Sequence, residues 1–199
     1  LDRLRAEYAD RERRLAGSEL YSLFNPAYLF ITQQRQRAIL NLQRQHAFLP
    51  LETSRILELG CGRGGVLLEW LGYGARPENL CGTDLLPDRV RAAHQLLPHV
   101  PLACADGQNL PYPCVAFDLV LQFTVFSSVL DDAIKANLAR EMLRVLKPGG
   151  MILWYDFWLN PTNLHTRGIR PAETCPEQGR RIRRLFPNCR YEFRRITLA

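Results

Sequence analysis

No run of apolar residues in this 199-residue sequence approaches the roughly 18 that a membrane-spanning helix needs. The opening Leu1-Asp2-Arg3-Leu4-Arg5 is charged and helical in pattern, without the apolar stretch of a signal peptide. A cytoplasmic protein is therefore expected, and the missing Met at position 1 suggests a sequence trimmed at its front. CxxC pairs and histidine spacings of the metal-binding kind are also lacking. The six cysteines (Cys61, Cys81, Cys104, Cys114, Cys175, Cys189) are scattered, which argues against a zinc site and against a secreted disulfide framework. No metal is expected. Cys61, Cys81 and Cys104 fall in or beside candidate core strands, where a small, weakly polar side chain packs well. Internal repeats and low-complexity stretches are absent too.

Charge is present but unevenly distributed. From Arg167 onward nine arginines face three glutamates, an excess of six that equals the whole net charge of +6. Such a basic C-terminal face suits an anionic substrate, phosphate or RNA; a solvated helix face carries the same composition.

Residues 1–50 read as helical. A charged helix covers 1–15, Gly17 and Ser18 interrupt it, and a second helix runs over 26–45 with Leu29, Phe30, Ile39, Leu40 and Leu42 near helical spacing. The aromatic, Pro-punctuated segment 21–28 between them suits a cap or lid, or simple packing. After Pro50 short apolar runs alternate with helical ones, the pattern of a parallel α/β sheet. Strands are predicted at 55–59, 79–83, 101–105, 116–123 and 151–157. Helices are predicted at 65–71, 87–97, 131–146 and 176–186, and a last strand at 189–198. The division expected is 1–50 as a helical cap and 51–199 as a Rossmann-like domain.

The first strand runs into Glu58-Leu59-Gly60-Cys61-Gly62-Arg63-Gly64-Gly65. Glycines let the backbone turn tightly and approach a ligand at the start of a helix. Gly60, Gly62 and Gly65 also satisfy GxGxxG, and Asp84 follows about twenty residues on, as in dinucleotide-binding folds. The loop alone thus says only that a nucleoside cofactor is bound. Four features narrow it. Glu58 stands where a carboxylate would repel a pyrophosphate but tolerate an ammonium. Asp106, at the end of the third strand, is placed to accept from an adenine amino group. Asp118 precedes the apolar run of the fourth strand. Lys147-Pro148-Gly149-Gly150 is turn chemistry between a helix and the fifth strand.

Together, Glu58-Leu59-Gly60-Cys61-Gly62-x-Gly64, Asp84, Asp106 and Leu146-Lys147-Pro148-Gly149-Gly150 resemble the ordered motifs of class I S-adenosylmethionine (SAM)-dependent methyltransferases, most of all the "type 11" branch. The resemblance covers about half the chain. It implies that Glu58, Gly60, Cys61, Gly62 and Gly64 line the methionine part of SAM. It also implies that Asp84 holds the ribose, Leu85 packs beside the adenine, and Asp106, Gly107 and Gln108 meet the adenine edge. Gln122 and Phe123 would face the methyl donor, with S-adenosylhomocysteine as product. The family's sheet ends in an antiparallel hairpin, of which this chain holds at most the first strand, so a truncated hairpin is expected.

Methyl transfer from a sulfonium needs chiefly collinear positioning, and a base only where the nucleophile arrives protonated. Asp156 and His165, after the fifth strand, are candidate bases, and Tyr155 a candidate for orienting the acceptor. Thr124, Phe126, Ser127 and Ser128 are candidates for the acceptor pocket. Pro113-Cys114 precedes the fourth strand and Asn160-Pro161 follows the fifth, so neither sits where the nucleobase methyltransferases carry such pairs. The leading expectation is a small-molecule acceptor, such as a secondary metabolite, sugar or lipid-linked intermediate, methylated at O, N or C. Alternatives are an RNA or protein methyltransferase using the basic C-terminal face, and a non-catalytic SAM-binding module. A nicotinamide oxidoreductase fits Glu58 and the Lys147–Gly150 segment poorly.

Overall fold

A computed structural model describes residues 2–15, 17–45, 50–157 and 166–168. They fall into two compact units, one within 1–49 and one within 50–193. The first holds α1 (Asp2–Leu15) and α2 (Pro26–Gln45). Proline opens α2, where a missing N–H costs nothing. Asn25 Oδ1 caps it by accepting from the amides of Ala27 (3.0 Å) and Tyr28 (3.4 Å). Among the described residues no helix is long and apolar enough to cross a membrane.

The second unit alternates strands and helices: β1 (Ile56–Leu59), α3 (Gly65–Gly72), β2 (Leu80–Asp84), α4 (Pro87–Leu96), β3 (Leu102–Cys104), β4 (Phe117–Phe123), α5 (Asp132–Val145) and β5 (Leu146–Tyr155). The sheet order is β3-β2-β1-β4-β5 and every pairing is parallel. All residues of β1 and β2 are buried. A parallel sheet is covered on both faces, so neither strand shows the alternation of buried and exposed residues, and Glu58, Thr83 and Asp84 are buried along with their apolar neighbours. Leu57, Leu59, Phe117, Val120, Met142 and Val145 form the middle of one core cluster. Asp131 caps α5 by accepting from the amides of Ala133 and Ile134.

Two expectations need correction. Cys104 is exposed, unlike the buried Cys61 and Cys81, because among the described residues β3 is an edge strand with no outer neighbour. The fifth strand also begins earlier than predicted. Leu146 already pairs with Phe117, the ladder is interrupted, and pairing resumes at Leu119 with Met151. Lys147-Pro148-Gly149-Gly150 is therefore an irregularity inside the strand, with Gly149 at φ +79°, rather than a turn before it. Lys147 Nζ fastens it by donating to both carboxylate oxygens of Asp118 at 2.9 Å. Asp118 Oδ2 also accepts from the Arg55 amide at 2.9 Å. This acid is thereby tied to the amino end of the sheet, away from the strands' carboxyl ends. The predicted helix at 176–186 and strand at 189–198 lie outside the described residues.

A Cβ on Gly150 would stand 2.8 Å from the Asp118 carbonyl oxygen and 2.9 Å from that of Lys147, both backbone atoms that cannot swing aside. Gly150→Ala is expected to lower stability by roughly 1–3 kcal/mol, read as a lower urea midpoint at unchanged slope.

Candidate functional site

The sheet reverses its winding between β1 and β4, and in such folds the crevice beyond the strands' carboxyl ends is where ligands bind. The chain between β1 and α3 turns there through three left-handed glycines, Gly60 (φ +73°), Gly62 (φ +54°) and Gly64 (φ +86°). This turn is held by β2. The amides of Gly60 and Cys61 both donate to the Thr83 carbonyl at 2.8 Å. The Gly62 amide donates to Asp84 Oδ2 at 2.9 Å, and Asp84 Oδ1 accepts from the Leu86 amide at 2.9 Å. One carboxylate thus joins the glycine turn to the turn after β2, where Leu85 stands between Asp84 and the Leu86 amide that the carboxylate holds. Each carboxylate oxygen keeps a second lone pair for another donor.

Glu58 is 1% exposed within β1. Its register partners are Gly82 on one side and Leu121 on the other. Burial, and after it the negative charges of Glu58 and Asp84, pushes the Cys61 thiol far up. It is held as a thiol, and thiolate chemistry is disfavoured.

After β3, Asp106 Oδ1 accepts from the Gln108 amide at 2.9 Å, and the Gln108 side-chain nitrogen reaches Asp106 Oδ2 at 3.1 Å. Gln108 Oε1 in turn accepts from Asn137 on α5 at 3.0 Å. Gly107 is packed from both sides: a Cβ there would meet Leu138 and Leu59 side-chain carbons, each at 2.7 Å. Asp106, Gly107 and Gln108 therefore form a fixed turn at the same edge as Asp84.

At the end of β4, Gln122 is fully buried. Its Oε1 accepts from the Val125 amide at 3.0 Å, and its Nε2 donates to Asp156 Oδ2 at 3.3 Å and the Tyr155 carbonyl at 3.5 Å. Phe123 packs on the Tyr155 ring, with centroids 5.6 Å apart. Thr124 follows at φ +57°, a left-handed conformation that is a genuine outlier for a β-branched residue. Asp156 Oδ2 also accepts from the Ser127 amide at 3.1 Å, and Oδ1 from the Phe157 amide at 2.9 Å. Burial pushes the Asp156 carboxyl above its usual range, against the pull of hydrogen bonds from Ser127, Phe157 and Gln122.

The predicted residues thus gather at one edge of the sheet, from Glu58 through Gly64, Asp84 to Leu85, Asp106 to Gln108, Gln122 to Phe123, and Tyr155 to Asp156. His165 lies outside the described residues, as does the arginine-rich segment from Arg170 onward. One participant went unread in the sequence. A Cβ built on Gly60 runs into the Val125 Cγ2 methyl, so the turn after β4 packs directly on the first glycine. Sixty-five residues separate the two, and no local pattern marks the contact.

Two expectations follow from this geometry. Gly60→Ala adds both a methyl clash and a left-handed strain, together at least roughly 2 kcal/mol. Val125→Ala in the same chain should recover the clash but not the strain, as read by denaturant titration. Asp156, with its folded pKa raised, contributes most stability below the unfolded carboxyl value near about 4 and less as pH climbs through the folded one. Asp156→Asn should flatten that fall in urea midpoints taken between about pH 4 and 7.

A five-stranded parallel sheet in this order, with a glycine turn after its central strand and an acid closing the next, defines a Rossmann-like α/β domain. Residues 56–150 match the family described as "Methyltransferase domain". A phthiotriol/phenolphthiotriol dimycocerosates methyltransferase of Mycobacterium leprae is 33% identical over 66% of this chain and 48% of its own. A fatty-acid O-methyltransferase of Mycolicibacterium smegmatis is 38% identical over 53% of this chain and 38% of its own. The chain thus spans half or less of the length of these two relatives. The crystal structure of the PH0226 protein from Pyrococcus horikoshii shares the fold, with TM-score 0.53 at 21% identity, over 69% of this chain and 58% of that one. Over residues 56–150, just under half of its length, the chain is similar to methyltransferase domains.

Proposed function

We propose that this chain binds SAM at the carboxyl edge of its sheet and methylates a small, lipid-like acceptor. The observation that carries the reading is the Asp84 carboxylate, which grips the Gly62 amide and the Leu86 amide and so fixes an acid beside an open glycine turn. The turn has room for a ligand. Among the described residues a Cβ on Gly62 or Gly65 meets nothing within 4 Å, and the start of α3 has Gly64 in the capping position with no side-chain cap. Amides at an uncapped helix start favour an anionic group such as a carboxylate.

Bound SAM would supply a methyl group already activated on a sulfonium sulfur. The chain's task is then placement. Glu58 would offset an ammonium next to the turn, Asp84 would accept from ribose hydroxyls, and Leu85 with the Asp106–Gln108 turn would hold the base. Tyr155 and the residues after β4 would line the acceptor side, where Tyr155 would orient the nucleophile. A lipid-like acceptor is supported by relatives whose names specify a fatty acid and dimycocerosates.

Calorimetric titration with S-adenosylhomocysteine, beside NADH, tests the reading. Saturable binding of the first and none of the second is expected. Asp84→Ala should weaken binding by roughly 10- to 100-fold, the value of one or two charge-assisted hydrogen bonds. Binding of NADH instead would overturn the assignment.

A further inference from the structure

Between β4 and β5 the chain maintains a polar network that the proposed chemistry does not itself call for. Gln122 is fully buried, and its amide joins three segments. Oε1 receives the Val125 amide, while Nε2 reaches the Tyr155 carbonyl and Asp156 Oδ2. The same Asp156 oxygen receives the Ser127 amide. Thr124, between Gln122 and Val125, is left-handed at φ +57°. It is held there from every side: its amide donates to the Tyr155 carbonyl at 2.8 Å, and its carbonyl accepts from the hydroxyls of Ser127 (3.4 Å) and Ser128 (3.1 Å). A strained residue persists only where its surroundings over-determine it. What this arrangement delivers is Val125, whose Cγ2 methyl fills the space over Gly60.

We infer that Asp156 is a positioning residue, acting through Gln122 and Ser127 to hold the Thr124–Ser128 turn so that Val125 braces the first glycine of the cofactor turn. The inference rests on the preceding reading of that turn as the SAM site. It assigns Asp156 to placement rather than to base catalysis: Oδ2 has both lone pairs taken by Gln122 and Ser127 and points into the turn, while Oδ1 accepts from the Phe157 amide and keeps one lone pair. It also recasts Gln122, which serves the loop rather than the methyl donor. The two residues form one device that sets the shape of the glycine turn from the opposite side to Asp84. Asp84 holds the turn by its amide, and Val125 holds it by contact.

The chemistry of the acceptor atom separates this role from catalysis. An asparagine at 156 can turn its oxygen to the place of Oδ2 and still receive both Ser127 and Gln122, giving up the acceptor for the exposed Phe157 amide along with charge and basicity. An alanine receives neither. Binding of S-adenosylhomocysteine is measured by calorimetry, with a melting curve for each variant. Asp156→Ala and Gln122→Ala should each weaken binding about tenfold, while Asp156→Asn stays within about twofold of wild type. Val125→Ala, at a half-buried position, should itself lose about fivefold, and adding Asp156→Ala to it should lose little more, because the two act through one contact. Should Asp156→Ala fail to fold, Gln122→Ala and Val125→Ala carry the same expectation. An Asn variant as weak as the Ala variant would overturn the inference, as would unchanged affinity in Val125→Ala or independent, additive losses. Absence of binding in the wild type would instead defeat the cofactor reading itself.

Discussion

Three amides in the turn after β1 point to atoms of β2, and the site depends on that attachment. Gly60 and Cys61 share the Thr83 carbonyl, and Gly62 donates to the Asp84 carboxylate. A turn with three left-handed glycines has little conformational preference of its own. Its shape must come from whatever it is bonded to. Here the partner is the neighbouring strand, fully buried and paired on both sides, so the least restricted backbone of the domain is attached to one of its most restricted parts. Asp84 then has two functions that cannot be separated: it builds the turn, and it offers its remaining lone pairs beyond it.

The same sheet explains why acids that look alike in sequence have different fates. Asp84 and Asp106 stand at the carboxyl ends of β2 and β3, where successive turns converge. Asp118 stands at the amino end of β4 and meets Lys147 and the Arg55 amide. In sequence all three border short apolar runs. What differs is which end of the run they border, and in a parallel sheet that decides between the ligand edge and the structural edge. The pair at the structural edge is about one-third exposed on each side, so its contribution to stability is modest, of order 1 kcal/mol or less.

Much of the fold was legible because its determinants are local. Short, largely apolar runs mark β1 and β4, and helical spacing after Pro26 marks α2. Glu58, Gly60–Gly64, Asp84 and Asp106 were legible as a set through their resemblance to an ordered motif series, whose members lie at or beside strand ends. The remainder was hidden for two physical reasons. Edge position is a property of the sheet rather than of a strand, so Cys104 could not be told from Cys81. Contacts between turns depend on how the strands are aligned, so neither Val125 over Gly60 nor the bond between Gln122 and Asp156 has a local signal. The Lys147–Gly150 segment is an intermediate case. Its glycines read as a turn before the strand, and only the pairing of Leu146 with Phe117 shows that the ladder has already begun there.

The turn after β4 is an unusual way to leave a strand if stability were the only requirement. A left-handed β-branched residue costs of order 1–2 kcal/mol. A buried side-chain amide and a desolvated carboxylate each cost more than an apolar pair of the same size unless every hydrogen bond is made. Glycine at 124 and a leucine–alanine pair in place of Gln122 and Asp156 would connect the same strands with less strain. They would not, however, hold the Val125 and Ser127 amides in fixed directions, because apolar contacts define a distance and leave orientation loose. Directional bonds define both. The polar, strained solution sits on the edge of the sheet where the glycine turn lies, while the opposite edge relies on an ion pair about one-third exposed. That asymmetry follows if orientation, rather than stability, is what this edge of the sheet must guarantee.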